Sequence, residues 1–174
     1  MAENNFRNTS WGMSLREVKS IESSTELMDE RDDSLTYSGK LVGHEAFINY
    51  KFSGGTLDTG TYLIYNEDDD EVVAAYFKLK EMLLKKYGKP DSINIEQKHP
   101  SGKLSLDSRA EVVDAVTSGL VSLENTWKTP DTRIALTCKK DADKRRAVTI
   151  AIYVDKDMLK DDVKESFEDD MDKL

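Results

Sequence analysis

The feature that most constrains this chain is a change of apolar period at Asn66. Before it, Ala46, Ile48, Tyr50 and Phe52 fall on every second residue, flanked by Leu35–Leu41 and Leu57–Tyr65, with the turn signal Ser53-Gly54-Gly55 between the last two runs. A period of two places alternate side chains on opposite faces of a strand, so this stretch reads as three strands of an antiparallel meander with the Ala46–Phe52 set facing the core. After Asn66 the spacing becomes three and four. Val72, Tyr76, Leu79 and Leu83, with Val73, Phe77, Leu84 and Tyr87 beside them, form a wide helical stripe. A sheet with one apolar face followed by an amphipathic helix is the plan of an α+β domain.

The helix boundaries are written in the sequence. Asn66-Glu67-Asp68-Asp69-Asp70-Glu71 sets carboxylates at the positive end of the helix dipole, and Gly88 and Pro90 close the other end. Ser14 with Glu17 and Ser108 with Glu111 are capping boxes, which predict a short helix after Trp11-Gly12-Met13 and a second from about Asp107 to Ser118. For the second, the β-branched Val112, Val113, Val116 and Val121 leave strand as the alternative. Leu15, Val18 and Ile21 share the docking face of the first, and Met13 staples to Val18. Ser23 to Asp33 and Ser92 to Ser105 are polar and read as connecting loops. Leu123–Thr129 around Trp127, Thr132–Lys139 and Ala147–Val154 read as three more strands, the last two joined by a charged turn. Ile150, Ile152 and Val154 share a parity with Val148, and Tyr153 has the other.

The order is therefore a helix, three strands, a long helix, an extra helix, three strands and a final acidic helix. It describes one domain over 1–174 with two similar halves, about 6–66 and 67–155, and a terminal helix over 157–174. In that last helix Leu159, Val163, Phe167 and Met171 recur every four residues as one apolar line on a charged rod. This line either docks on the protein's own sheet or is the candidate partner-binding element, for another protein or a second copy.

Trp11-Gly12 before a capped helix, the meander ending in Leu57, Gly60, Tyr62 and Tyr65, the run Tyr87-Gly88-Lys89-Pro90, and Trp127 followed by Thr132-Arg133-Ile134-Ala135-Leu136 resemble a class of small bacterial domains. Their helix-then-meander units are similar to the β-lactamase-inhibitor-like fold and to the small lipoprotein of the outer-membrane β-barrel assembly machinery, the SmpA/OmlA type. The resemblance implies helices on one face of an antiparallel sheet, with the other face open to a partner, and it brings no catalytic residues. The lipoprotein's leader and lipobox cysteine have no counterpart here, which speaks against an envelope role.

Charge narrows the partners. Of the 174 residues 34% are charged and 38% hydrophobic, and the net charge of −9 sets a surface field that repels nucleic-acid phosphates and anionic lipid. Met1–Asn5 has neither a basic region nor an apolar run, and no stretch approaches the ~20 apolar residues of a membrane span. The expected location is the cytoplasm.

Residues able to do chemistry are few and scattered. Cys138 is the single cysteine and sits in the apolar strand Ile134–Cys138, so it reads as a small buried hydrophobe rather than a nucleophile. His44 and His99 are far apart, with no Gly-x-Ser-x-Gly elbow and no metal-ligand spacing. Asp68–Glu71 lacks the alternating ligands and central glycine of a calcium loop. The glycines at 39, 43, 54 and 55 are hairpin glycines rather than a phosphate cradle. Trp11, Trp127, Tyr62 and Tyr65 form either core or an aromatic ligand patch. With no cofactor signature, the expectation is a non-enzymatic binding or scaffolding module. Its rivals are an acidic inhibitor or decoy for a basic partner and, below that, a small-molecule sensor or hydrolase.

Overall fold

The computed structural model describes residues 4–22, 26–98, 106–143 and 145–159. Among the described residues it is an α+β structure with an eight-stranded antiparallel sheet and three α-helices. Helix α1 spans Leu15–Ile21, and strands β1 (Glu26–Arg31), β2 (Ser34–Leu41), β3 (His44–Ser53) and β4 (Thr56–Ile64) follow as a meander. Helix α2 (Asp69–Tyr87) leads to β5 (Ser92–Gln97), helix α3 (Arg109–Thr117), and the meander β6 (Val121–Lys128), β7 (Thr132–Lys140) and β8 (Ala147–Asp155). The sheet order is β1-β2-β3-β4-β8-β7-β6-β5, so the two meanders meet through their last strands.

Two strands correct the sequence reading. Residues 26–31 and 92–97, expected as loops, are the two edge strands, so each half contributes four strands rather than three. Every residue of both is exposed. An edge strand held from one side and covered on neither face needs no alternation of apolar and polar residues, which is the signal a sequence reader relies on.

The capping chemistry stands as written in the sequence. Both capping boxes are complete, with Glu17 N–H donating to Ser14 and the Glu17 carboxylate accepting from Ser14 N–H, and the same exchange between Ser108 and Glu111. Asp68 Oδ1 accepts from the backbone N–H groups of Asp70 and Glu71, and Gly88 ends α2 at a φ of +80°. Trp127 Nε1 donates to the Gly88 carbonyl at 3.0 Å, tying that end of α2 to β6. Leu84, expected in the apolar stripe of α2, is exposed, while Val72, Val73, Tyr76, Leu79 and Leu83 are buried. No described helix is long and apolar enough to cross a membrane.

All three helices cover one face of the sheet. Cross-strand pairing sets Leu35, Tyr50, Gly60, Tyr153, Ile134 and Trp127 side by side on that face, with Tyr37, Ile48, Tyr62, Ala151, Leu136 and Asn125 as the next row. Helix α1 packs there through Val18 over Leu35, Tyr37, Ile48 and Tyr50, and α2 with α3 pack over Ile64, Leu123, Ile134, Leu136, Cys138 and Ala151. Ala46, Ile48, Tyr50 and Phe52 face the core, as the alternation requires. Tyr62 and Tyr153 are half-buried at the seam and touch both clusters.

The segment before α1 crosses this seam. Gly12, at a φ of +89°, donates to the Leu57 carbonyl at 2.9 Å and Leu57 N–H returns to Met13, while Trp11 Nε1 donates to Thr132 Oγ1 at 3.0 Å. Phe6 sits directly on Gly60, where any side chain would overlap its ring. The chain after β8 makes a 3-10 turn over Lys156–Met158 that ends at Leu159. The expected terminal helix otherwise lies outside the described residues, as do Val163, Phe167 and Met171.

Candidate functional site

The central strand β8 decides which face of the sheet is available. Its helix-facing side carries the small residues Ala147, Thr149 and Ala151, and its other side carries Val148, Ile150, Ile152 and Val154. Small side chains let the α2 backbone approach closely. Thr149 Oγ1 donates to the Val72 carbonyl at 2.9 Å, and Ala147 N–H donates to Asp69 Oδ1 at 2.8 Å. Along β8, though not across the sheet, this departs from the usual arrangement, in which the open side of an antiparallel sheet is polar.

No described element packs on that second face. Its rows run across the strands as Phe47, Leu63, Ile150 and Thr137, then Asn49, Thr61, Ile152, Ala135 and Thr126, then Lys51, Thr59, Val154, Arg133 and Lys128. Tyr65 stacks on Phe47 with ring centroids 5.6 Å apart and an interplanar angle of 23°. Phe47, Leu63, Tyr65, Ile150 and Ile152 are all half-buried, so each offers part of its apolar surface to a neighbour. Threonines and Asn49 surround them, and Asn49 Nδ2 is already engaged with Thr36 Oγ1 at 2.9 Å.

In a protein of net charge −9 this face is close to neutral, with Arg31, Lys40, Lys51, Lys128, Arg133 and Lys139 against Glu26, Asp29, Glu45, Glu96 and Glu124. Its central strands carry the positive share through Lys40, Lys51, Arg133 and Lys139. Arg133 Nη1 is fixed by the Thr129 and Thr132 carbonyls at 3.0 and 3.3 Å, which orients the guanidinium at the rim. Partial burial holds Lys139 below the usual ammonium value, with Lys98 adding to the effect and Asp141 opposing it. The strands of this face carry no histidine or cysteine side chain on it, so its chemistry is hydrogen bonding, charge and apolar contact.

The helix side holds the most concentrated polar network. Glu22 is 4% exposed and receives Arg7 at 2.6 and 3.2 Å, and the Tyr50 hydroxyl donates to the same carboxylate. Burial, followed by the adjoining Glu22 carboxylate, pushes the Tyr50 phenol well above its ordinary value. This arrangement pins the N-terminal segment and α1 to β3. It is a structural lock, since acid, base and cation satisfy one another.

The residues singled out in the sequence are not brought together. Leu159 is half-buried at the end of the 3-10 turn, while Val163, Phe167, Met171 and His99 lie outside the described residues. His44 Nδ1 is 3.4 Å from Glu71 Oε2, joining the start of β3 to α2. Cys138 is fully buried, and burial pushes its thiol up to about 12, with a hydrogen bond to Thr149 acting the other way. Asp68 and Asp69 serve as helix cap and strand tether. Of the aromatic set, Trp127 is core, Trp11 and Tyr62 lie on the helix side, and Tyr65 stacks on the opposite face, so the four do not form one patch. Lys139 and Lys140 of the charged turn region are the last residues of β7, paired with Val148 and Ala147.

The open face was expected from the resemblance, and what sequence reasoning did not supply is which residues form it. The parity of β8 sets Val148, Ile150, Ile152 and Val154 against Ala147, Thr149 and Ala151, and only the close approach of α2 to the small residues decides which set faces the helices. No protein-family model, curated protein or solved structure matches the chain.

Proposed function

We propose that the protein is a non-enzymatic binding or scaffolding module that docks a protein segment on the face of its sheet that no described helix covers. The observation behind this reading is the half-buried pair Ile150 and Ile152, flanked by the buried Val148 and Val154 and extended by Leu63 and the stacked Phe47 and Tyr65. Contiguous apolar surface beside ordered charge is the usual composition of an interaction site. Lys40, Lys51, Arg133 and Lys139 select the partner's sign, so the segment received is apolar and flanked by carboxylates. The open face is also what the resemblance to inhibitor-like domains implies.

The rival acidic inhibitor would use the negative surface outside this face to meet a basic partner. The sign of the charge effect separates the two, because Lys51→Glu weakens docking on the sheet and strengthens an acidic decoy. The terminal stripe of Leu159, Val163, Phe167 and Met171 is kept as a second contact element, and the cytoplasm as the place of action. The experiment is photo-cross-linking in cells from a benzophenone amino acid at position 152, with position 82 on the outer side of α2 as the control. A discrete adduct at 152 that maps to a carboxylate-flanked apolar segment supports the reading. Equal adducts at 152 and 82, or none at 152, refute it.

A further inference from the structure

The two edges of the sheet are built differently. Strand β1 is broken by a register shift between Leu27 and Asp29, and four of its residues, Glu26, Asp29, Glu30 and Arg31, are charged. Lys19 from α1 binds Glu30 at 2.6 Å, and Arg31 binds Asp29 at 2.8 Å. Bulges and charges are how a sheet edge is kept from pairing with another chain. Strand β5 has neither protection. Its six pairs with β6 run in unbroken register, Glu96 is its single charge, and Ile93 and Ile95 are 60% and 49% exposed on the helix side.

The backbone of β5 has a definite polarity. Lys98 N–H donates to the Leu120 carbonyl at 3.0 Å, and the alternation of an antiparallel ladder then turns Ser92, Asn94 and Glu96 toward β6. The N–H and carbonyl groups of Ile93, Ile95 and Gln97 point to the open side. An antiparallel copy of the same strand meets them in one favourable register. Ile93 faces the copy's Ile95, Asn94 faces its own equivalent on the two-fold axis, and Ser92 faces Glu96. In that register Asp91 faces Gln97 and Lys98 faces Pro90, so no like charges stand opposite. The four isoleucines form one apolar cluster.

We propose that β5 is a self-complementary edge through which two copies of this chain pair, extending the sheet across a two-fold axis. The contact is isologous, as a two-fold dimer requires. A six-residue edge is smaller than the ~1,600 Å2 of a standard stable interface, so the dimer is weak and concentration-dependent. This surface is separate from the face that no described helix covers, and each is open to test without the other.

The register makes the test specific. An Asn94→Cys variant places two thiols in a non-hydrogen-bonded pair, whose Cα separation of about 4.5 Å lies within disulfide range. Mild oxidation of the full-length protein is expected to give a covalent dimer that dithiothreitol reverses, while Ile95→Cys, with its sulfurs too far apart in this register, is expected to give none. Sedimentation velocity over a concentration series is expected to show dimer for the unmodified protein and its loss for Ile95→Lys, with an unchanged circular dichroism spectrum. A monomer at every concentration overturns the proposal. So does a dimer that persists in Ile95→Lys, or a cross-link through position 95 in place of 94.

Discussion

The Thr149 hydroxyl donates to the Val72 carbonyl across 2.9 Å, in a contact where both residues are buried. It holds the first turn of α2 against the small-residue side of β8. By doing so it commits Val148, Ile150, Ile152 and Val154 to the face that no described helix covers. Substituting Thr149→Val keeps the shape and removes the donor, at an expected cost of about 1 kcal/mol in urea unfolding. A cost near zero would mean that packing of Ala147 and Ala151 alone seats the helix.

The lock at Glu22 is expected to be stronger. Glu22→Ala leaves Arg7, whose side chain is 21% exposed, and the Tyr50 hydroxyl without their shared acceptor. A loss of about 2 to 3 kcal/mol is expected, toward the low end for a broken buried pair because Arg7 retains some water. Replacing the group together, as Arg7→Met, Glu22→Leu and Tyr50→Phe, should recover most of it. If the triple variant is as unstable as the single one, the lock does more than satisfy its own members.

Asp155 supplies a pH dependence. Partial burial, helped by Asp157, Asp131 and Asp58, raises its pKa from the ordinary carboxylate value, against the hydrogen bond it accepts from Asp157 N–H. A carboxyl whose folded pKa is raised contributes its full stability while protonated, and loses it as pH rises through the folded value. Asp155→Asn keeps the acceptor and removes the charge. It should therefore raise Tm at pH 7, with a gain that shrinks as pH falls through the folded pKa and vanishes below the unfolded one. A gain that is constant with pH would assign the effect to something other than ionisation.

Cys138 is expected to resist modification. With its thiol pushed up to about 12 by burial beneath α2 and α3, iodoacetamide at pH 8 should leave the folded protein unlabelled and take up one equivalent in denaturant. Labelling of the native protein within minutes would show that the core opens on that timescale.

The sequence made the strongly periodic parts legible and the edges illegible, for physical reasons. Helix α2, both capping boxes and the strand alternation from Ala46 to Phe52 each depend on local spacing, which the chain states directly. Strands β1 and β5 owe their conformation to a neighbour on one side, and their uniformly exposed side chains leave no alternation to read. The candidate site was hidden for another reason. Whether Ile150 and Ile152 or Ala147 and Ala151 face the helices depends on how near α2 lies, and that distance is a tertiary fact. Of the stripe chosen from sequence, only Leu159 falls among the described residues, half-buried at the end of a 3-10 turn.

The most direct measurement is the photo-cross-link from position 152, repeated with Lys51→Glu and Lys139→Glu. The account predicts a single adduct whose yield falls several-fold on charge reversal, and falls as well when salt is raised, while the fold is unchanged. An adduct whose yield is indifferent to both changes, or rises with them, would contradict the claim that this face receives an acidic partner segment.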